Sequence, residues 1–329
     1  MGEFELLAKL RERLPQDGPR VRLGSGDDAA VTVPGGATAT SVDAIVEGVH
    51  FRREEAGLEK VGRKALAAAL SDLAAMGAEA GEAYVALGAP PTFSEADFLA
   101  LLDGLLELAS DTGTTLAGGD VTRAPVVTLA VTVVGHADAP EKLVTRAGAR
   151  PGDLLVLTGE IGGAAAGRLL LDAPSLAESV PASTAGHLRA RQTSPTPRLR
   201  SGRALAEAGA RAMIDLSDGL GGDAAHLAHA GGTAMQIDAG SLPLAKGLAE
   251  VAAAAGRDPL EVAVAGGEDY ELLAALPPDR LAEASTRIGE AAETSLTPIG
   301  QVRAGEGVEI RLPGGGRLEA QGYDHFGAP

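Results

Sequence analysis

Apolar spacing switches between helix and strand periods along both halves of this 329-residue chain, and that alternation restricts its architecture most. Leu66, Leu70 and Leu73 recur at i, i+4 and i+7, which predicts a helix over Glu59–Met76. "SEADFLALLDGLLELASDTG" reads as a second helix, with Ser94 and Asp97 as a capping box and Gly113 past its end. "PVVTLAVTVVGHA" is the clearest strand; shorter ones are expected over Ala37–Val42, ending at Asp43, over Glu82–Leu87, and over Leu116–Asp120 with its turn. Phe4–Leu14 reads as a short amphipathic helix. In the second half, strands "LLVLTG", "AMIDL" and "AMQID" alternate with helices "GGAAAGRLLL", "LRSGRALAEAGA" and "GLGGDAAHLAHA". "EVAVAGGEDYELLAAL" looks like a strand pair around a Gly-Gly turn, and the tail looks like a hairpin with an ordered end. The class is therefore α/β or α+β, in two domains taken as residues 1–138 and 139–329.

Aromatic residues make up only 2% of the chain, so its cores must rest on Ala, Leu and Val. A net charge of −17 argues against non-specific binding to nucleic acid or to anionic membranes. The chain has no cysteine, which excludes disulfides, zinc-thiolate sites and cysteine nucleophiles. No apolar run approaches the ~18 residues of a membrane-spanning helix, and the N-terminus lacks a signal-peptide core. The cytoplasm is the expected location.

Seven aspartates stand out: Asp27, Asp28, Asp43, Asp72, Asp120, Asp215 and Asp218. Each sits within two residues of Gly, Ser or Thr where an element is expected to meet a loop, except Asp72, which lies on the helix away from its apolar stripe. Any one of them can be an ordinary cap or turn residue. Together they invite a cation, because clustered carboxylates repel by roughly 1 kcal/mol per pair at ~4 Å even in water. Hard oxygen donors favour Mg²⁺ or Ca²⁺ over zinc, and Mg²⁺ commonly brings phosphate with it.

The usual nucleotide loops are missing. There is no G-x-x-x-x-G-K-[ST], and "TGEIGGAAAG" lacks dinucleotide-binding spacing. The helix after that segment can either meet a phosphate with its N-terminus or use its small residues for close packing.

The blocks "GDDAAV", "VEGVHF", "KALAAALSDLAAMGA", "GGDVTRAP", "TRAGARPGD", "IDLSDGL", "GGEDYEL" and "GYDHF" follow in that order. Together they closely resemble the thiamine-monophosphate kinase family, within the superfamily of aminoimidazole ribonucleotide synthetase and selenophosphate synthetase. The resemblance implies a two-domain fold whose N-terminal α/β domain pairs with its twin in a homodimer to close a β-barrel, beside a C-terminal α/β domain. It implies direct transfer of the γ-phosphoryl of ATP to thiamine monophosphate, with several Mg²⁺ ions and no general base. It places Asp28, Ser41, Val42, Asp43, Asp72, Asp120, Asp215 and Asp218 at the metals, Val42 through its backbone carbonyl alone. Gly119, Asp120, Arg146 and Ser217 would meet ATP, and His50, Glu268 and Tyr323 would line the thiamine pocket. Read without the family, His50 can be a loop residue, Glu268 a turn cap, and Tyr323 packing for the tail. Other superfamily enzymes, and an acidic protein that binds divalent cations without consuming ATP, are the competing readings.

Overall fold

The computed structural model describes residues 12–14, 18–25, 29–292, 294–320 and 322–323. Most of the expected helix over Phe4–Leu14 lies outside these residues, as do Asp27 and Asp28. The chain divides into two compact units, residues 1–73 with 78–140, and residues 74–77 with 141–329.

In the first unit, strands β1 (Val21–Leu23) and β2 (Val31–Thr32) form a small antiparallel pair. They precede β3 (Ala37–Val46), helices α1 (Arg53–Ala56) and α2 (Leu58–Ala75), β4 (Glu79–Ala89), α3 (Glu95–Thr112), β5 (Thr115–Arg123) and β6 (Thr128–Ala137). A four-stranded sheet runs β3-β6-β4-β5, so β3 and β5 are its edges. The expected capping box holds α3: Asp97 N–H donates to the Ser94 hydroxyl, and Gly113 closes the helix in the left-handed region. Helices α2 and α3 cross with their backbones almost touching. A Cβ on Gly104 would lie 1.7 Å from the Glu59 carbonyl oxygen, and one on Gly62 would lie 2.0 Å from that of Leu101.

Asp43 does not end its strand. β3 pairs with β6 without interruption from Ala37 to Val46, because the ladder needs only backbone groups and tolerates the weakly patterned "TSVDA". Asp120 likewise lies inside β5, which continues to Arg123 beside β4.

The second unit holds β7 (Leu154–Thr158), α4 (Gly163–Asp172), α5 (Ala182–Thr193), α6 (Leu199–Glu207), β8 (Ala212–Asp215), α7 (Leu220–Gly231), β9 (Ala234–Asp238), α8 (Leu248–Ala254), α9 (Pro259–Ala265), β10 (Leu272–Leu276), α10 (Leu281–Ala292), β11 (Leu296–Arg303), β12 (Gly307–Arg311) and β13 (Arg317–Leu318). Its seven-stranded sheet runs β13-β12-β9-β11-β7-β10-β8, with only the β12–β9 pair parallel. Leu155, Leu157, Ile214, Met235, Ile237, Leu273 and Ile299 form its buried floor.

"EVAVAGGEDYELLAAL" is a helix followed by one strand, not a strand pair. Asp258 accepts hydrogen bonds from Leu260 N–H and Glu261 N–H, and Pro259 opens the helix, so end chemistry overrides the β-branched valines. The expected tail hairpin is present as β12 and β13.

Candidate active site

In the first unit, the register aligns four strands row by row. Asp43 opposes Val131, Val131 opposes Val85, and Val85 opposes Gly119. The next row runs Ala44, Ala130, Ala86, Asp120. Asp43 and Asp120 thus stand on opposite edges of the sheet, three strand spacings or roughly 14 Å apart. Pleating turns Ser41 and Asp43 to the face that carries the buried Leu129, Val131 and Val133. It turns Val42, 64% exposed, to the other face. The Ser41 hydroxyl hydrogen-bonds the Asp72 carboxylate, which joins β3 to α2. Ala44 N–H donates to Asp43 at 2.8 Å.

His50 is oriented by its own loop. Its Nδ1 accepts Val46 N–H at 3.1 Å, so in the neutral ring the proton resides on Nε2. The ammonium of the buried Lys64 donates to the His50 carbonyl at 3.1 Å. Glu47, which sequence reasoning passed over, ties the loop down: it accepts Val127 N–H at 3.0 Å and pairs with Arg53 at 2.5 Å.

In the second unit, Arg146, Asp215 and Asp218 act on a residue the sequence did not single out, Asp223 of α7, and Ser217 lies between the two flanking aspartates. Asp215 ends β8, buried, and opposes Leu272 of β10. Asp223 is buried and accepts Asp218 N–H at 3.1 Å. Burial, then the charges of Asp215 and Asp218, push its carboxyl up to about 8, while the Asp218 N–H and Arg146 pull it back. Arg146 lies in "TRAGARPGD", which Asp153 anchors: its carboxylate accepts Arg150 N–H at 2.8 Å and pairs with Arg211 at 2.6 Å.

The turn Leu216–Asp218 holds two of the three expected acceptor residues as well, Glu268 and Tyr323. Its Ser217 carbonyl accepts Glu268 N–H at 2.8 Å, and its Asp218 carbonyl accepts Tyr323 N–H at 2.9 Å. Gly267 packs so closely that a Cβ there would lie 2.3 Å from the Ser217 carbonyl oxygen. Glu268 and Tyr270 both adopt positive φ, 66° and 51°, an arrangement that non-glycine residues hold only when their surroundings enforce it.

Beneath Glu268 lies a buried ionic network. Glu271, fully buried, accepts from Thr158 at 2.8 Å, from Arg191 at 3.2 Å and from two nitrogens of Arg198 at 2.8 and 2.5 Å. Asp269 accepts Gly162 N–H at 2.6 Å and Ala164 N–H at 3.0 Å. A carboxylate of the chain itself therefore caps the start of α4. The small residues of this helix serve packing instead: a Cβ on Gly167 would lie 2.1 Å from the Leu188 carbonyl oxygen of α5.

Among the described residues, no three carboxylates or histidines converge closely enough to hold a metal ion by themselves. The donor chemistry nonetheless fits Mg²⁺, which takes one or two carboxylates and completes its shell from phosphates and water. The like-charge crowding of Asp215, Asp218 and Asp223 is an arrangement that a cation relieves.

Two family models cover most of the chain: the AIR synthase related protein N-terminal domain over residues 26–137 and its C-terminal domain over residues 150–313. The thiamine-monophosphate kinase of Escherichia coli (strain K12) is 36% identical over 333 residues, spanning 100% of this chain and 99% of that one. The chain belongs to the thiamine-monophosphate kinase family. The crystal structure of the family's enzyme from Stenotrophomonas maltophilia K279a superposes with a TM-score of 0.83 at 36% identity, covering 94% of this chain and 96% of that one. A second member, AaThiL complexed with AMPPCP and TMP, gives a TM-score of 0.77 at 28% identity, covering 99% and 97%. The two-domain α/β architecture is thus that of the kinase family.

Proposed function

We propose that this chain transfers the γ-phosphoryl group of ATP to thiamine monophosphate, giving thiamine diphosphate and ADP. One observation carries the reading: in a chain of this family, the Leu216–Asp218 turn binds Glu268 on one side and Tyr323 on the other through its carbonyls. Residues expected at ATP and metal are thereby linked to residues expected at the acceptor.

A phosphate oxygen of the acceptor bonds to the γ-phosphorus as the β–γ bridging bond breaks, and ADP leaves. The acceptor phosphate is already ionised at neutral pH, so the chain need not supply a base. Phosphoryl transfer of this kind requires alignment and charge stabilisation above all. In our reading Arg146, Ser217 and Gly119 hold the nucleotide. Asp28, Ser41, the Val42 carbonyl, Asp43, Asp72, Asp120, Asp215 and Asp218 hold Mg²⁺. Bound there, Mg²⁺ neutralises phosphate charge. His50 offers Nε2–H to an acceptor oxygen or nitrogen, Glu268 faces the cationic thiazolium, and Tyr323 lies against a ring.

The working unit in this reading is a homodimer in the cytoplasm. The sheet supports it by its open edges: among the described residues β3, which carries Asp43, and β5, which carries Asp120, both have an unpaired side that a second copy can meet. Edge-to-edge closure with a second copy would bring β3 of one chain beside β5 of its twin. Among the described residues no helix is long and apolar enough to cross a membrane.

The test is incubation with Mg²⁺, thiamine monophosphate and ATP labelled at the γ-phosphoryl. Label in the terminal phosphoryl of thiamine diphosphate is the expected result. Label released only as inorganic phosphate would overturn the reading.

A further inference from the structure

We propose that Gln192 is a positioning residue for the acceptor: its amide holds the Glu268 carboxylate toward the substrate's cation without cancelling its charge. The proposal rests on the reading that Glu268 faces the cationic acceptor. Gln192 sits in the last turn of α5, within the polar stretch "RQTSPTPR", whose two arginines serve Glu271. It is only 4% exposed, and its Nε2 lies 2.5 Å from Glu268 Oε2. An ionised carboxylate can only accept, so the amide must present its N–H side there.

Two features fix the donor. The close crossing of α4 and α5 places Gln192 Cβ 3.0 Å from where a Cβ on Gly167 would stand. The adjacent Arg191 is also held, donating to the Glu160 carbonyl at 2.8 Å and to Glu271 at 3.2 Å, with Asp269 at 3.7 Å. One helical turn thus addresses three of the four residues Glu268–Glu271. It sorts them by charge: the guanidinium goes to the buried structural carboxylates, and the neutral amide goes to Glu268. An arginine on Glu268 would orient it equally well but neutralise it before a cationic ligand arrived. A neutral donor orients the group without itself cancelling its charge.

Steady-state kinetics of Gln192→Leu, Gln192→Lys, Glu268→Gln and the Gln192→Leu/Glu268→Gln double variant test this, each checked for an unchanged thermal midpoint. Gln192→Leu removes the donor, and Gln192→Lys replaces it with one that cancels charge. Each should raise the KM for thiamine monophosphate by about tenfold, with kcat and the KM for ATP nearly unchanged. The double variant should be no worse than Glu268→Gln alone, because both changes break one interaction. Glu268→Gln with a raised acceptor KM beside Gln192 variants at the wild-type value would overturn the positioning role and leave the acceptor reading intact. An unchanged acceptor KM in Glu268→Gln would overturn both. If Gln192→Leu fails to fold, Gln192→Lys decides by the same ratio. Parallel rises in both KM values would show a structural role and overturn the proposal.

Discussion

Glu268 N–H donates to the Ser217 carbonyl at 2.8 Å, from a backbone held at φ 66°. This bond makes Glu268, the carboxylate proposed to face the acceptor, and the Ser217–Asp218 turn one mechanical piece. Its neighbours reinforce it: Tyr270 N–H donates to the Leu216 carbonyl at 2.9 Å, and a Cβ on Gly322 would lie 2.7 Å from Gly222 Cα. Loop backbone holds such geometry only when its hydrogen bonds are fully specified.

Glu268→Gln and Tyr323→Ala should raise the KM for thiamine monophosphate far more than that for ATP. A charge contact or a stacked ring is worth about 1–3 kcal/mol, or roughly ten- to a hundredfold. Initial-rate measurements with each substrate varied in turn decide it. Equal changes in both KM values would assign these residues to the fold or to the nucleotide half of the site.

Asp43→Asn and Asp120→Asn should each lower turnover by about a hundredfold or more while leaving the chain folded, because each removes a charge expected at the phosphates. Their placement on opposite edges of one sheet adds a sharper expectation. Each variant alone should be nearly inactive, yet refolding an equimolar mixture should regenerate activity if one chain supplies Asp43 and its twin Asp120. A mixture as inactive as its components would place both aspartates in a site built by a single chain.

Asp269 gives a pH signature. Burial lifts its carboxyl to about 6 against the opposing pull of Arg191 and two N–H groups. Between the ordinary value near 4 and about 6, the folded chain keeps a proton that the unfolded chain has released. Stability from this group is therefore present below that window and lost as pH rises through it. Asp269→Asn removes the dependence, so its unfolding free energy relative to the wild type should improve by up to about 3 kcal/mol between pH 4 and 7. Denaturant titrations across this range would show it; parallel curves for both proteins would contradict it.

Gly104→Ala should destabilise the first unit by about 1–3 kcal/mol, since its Cβ would enter the Glu59 carbonyl and force α2 and α3 apart. Because α2 carries Asp72, turnover should fall as well. Thermal unfolding and activity at a temperature where the variant is folded separate the two effects.

The helices were legible because Leu66, Leu70 and Leu73 and the Ser94–Asp97 cap carry strong local signals. The full length of β3 is not legible because Thr40–Ala44 offers no apolar alternation, and only pairing with β6 extends the strand to Val46. The valines of "EVAVA" suggest a strand, yet the segment belongs to the helix Pro259–Ala265, and "RDPLE" holds the cap and proline that mark its start. Asp215, Ser217 and Glu268 stand out because they lie in ordered Gly- and Asp-bearing blocks, whereas Ser41 lies outside them and enters only through the family resemblance. Asp223, Gln192 and Lys64 do not, since each sits inside an ordinary helix and matters through a contact that helical periodicity does not reveal. Glu271 had a usable signal: a carboxylate opening the apolar run "ELLAAL" must be buried, and a buried charge requires partners.

The most direct test of the account is ADP release by the purified protein with Mg²⁺ and ATP, measured with and without thiamine monophosphate. The account predicts saturable ADP release that depends on thiamine monophosphate, with one thiamine diphosphate formed per ADP. ADP release at the same rate without the acceptor, or none in its presence, would contradict it.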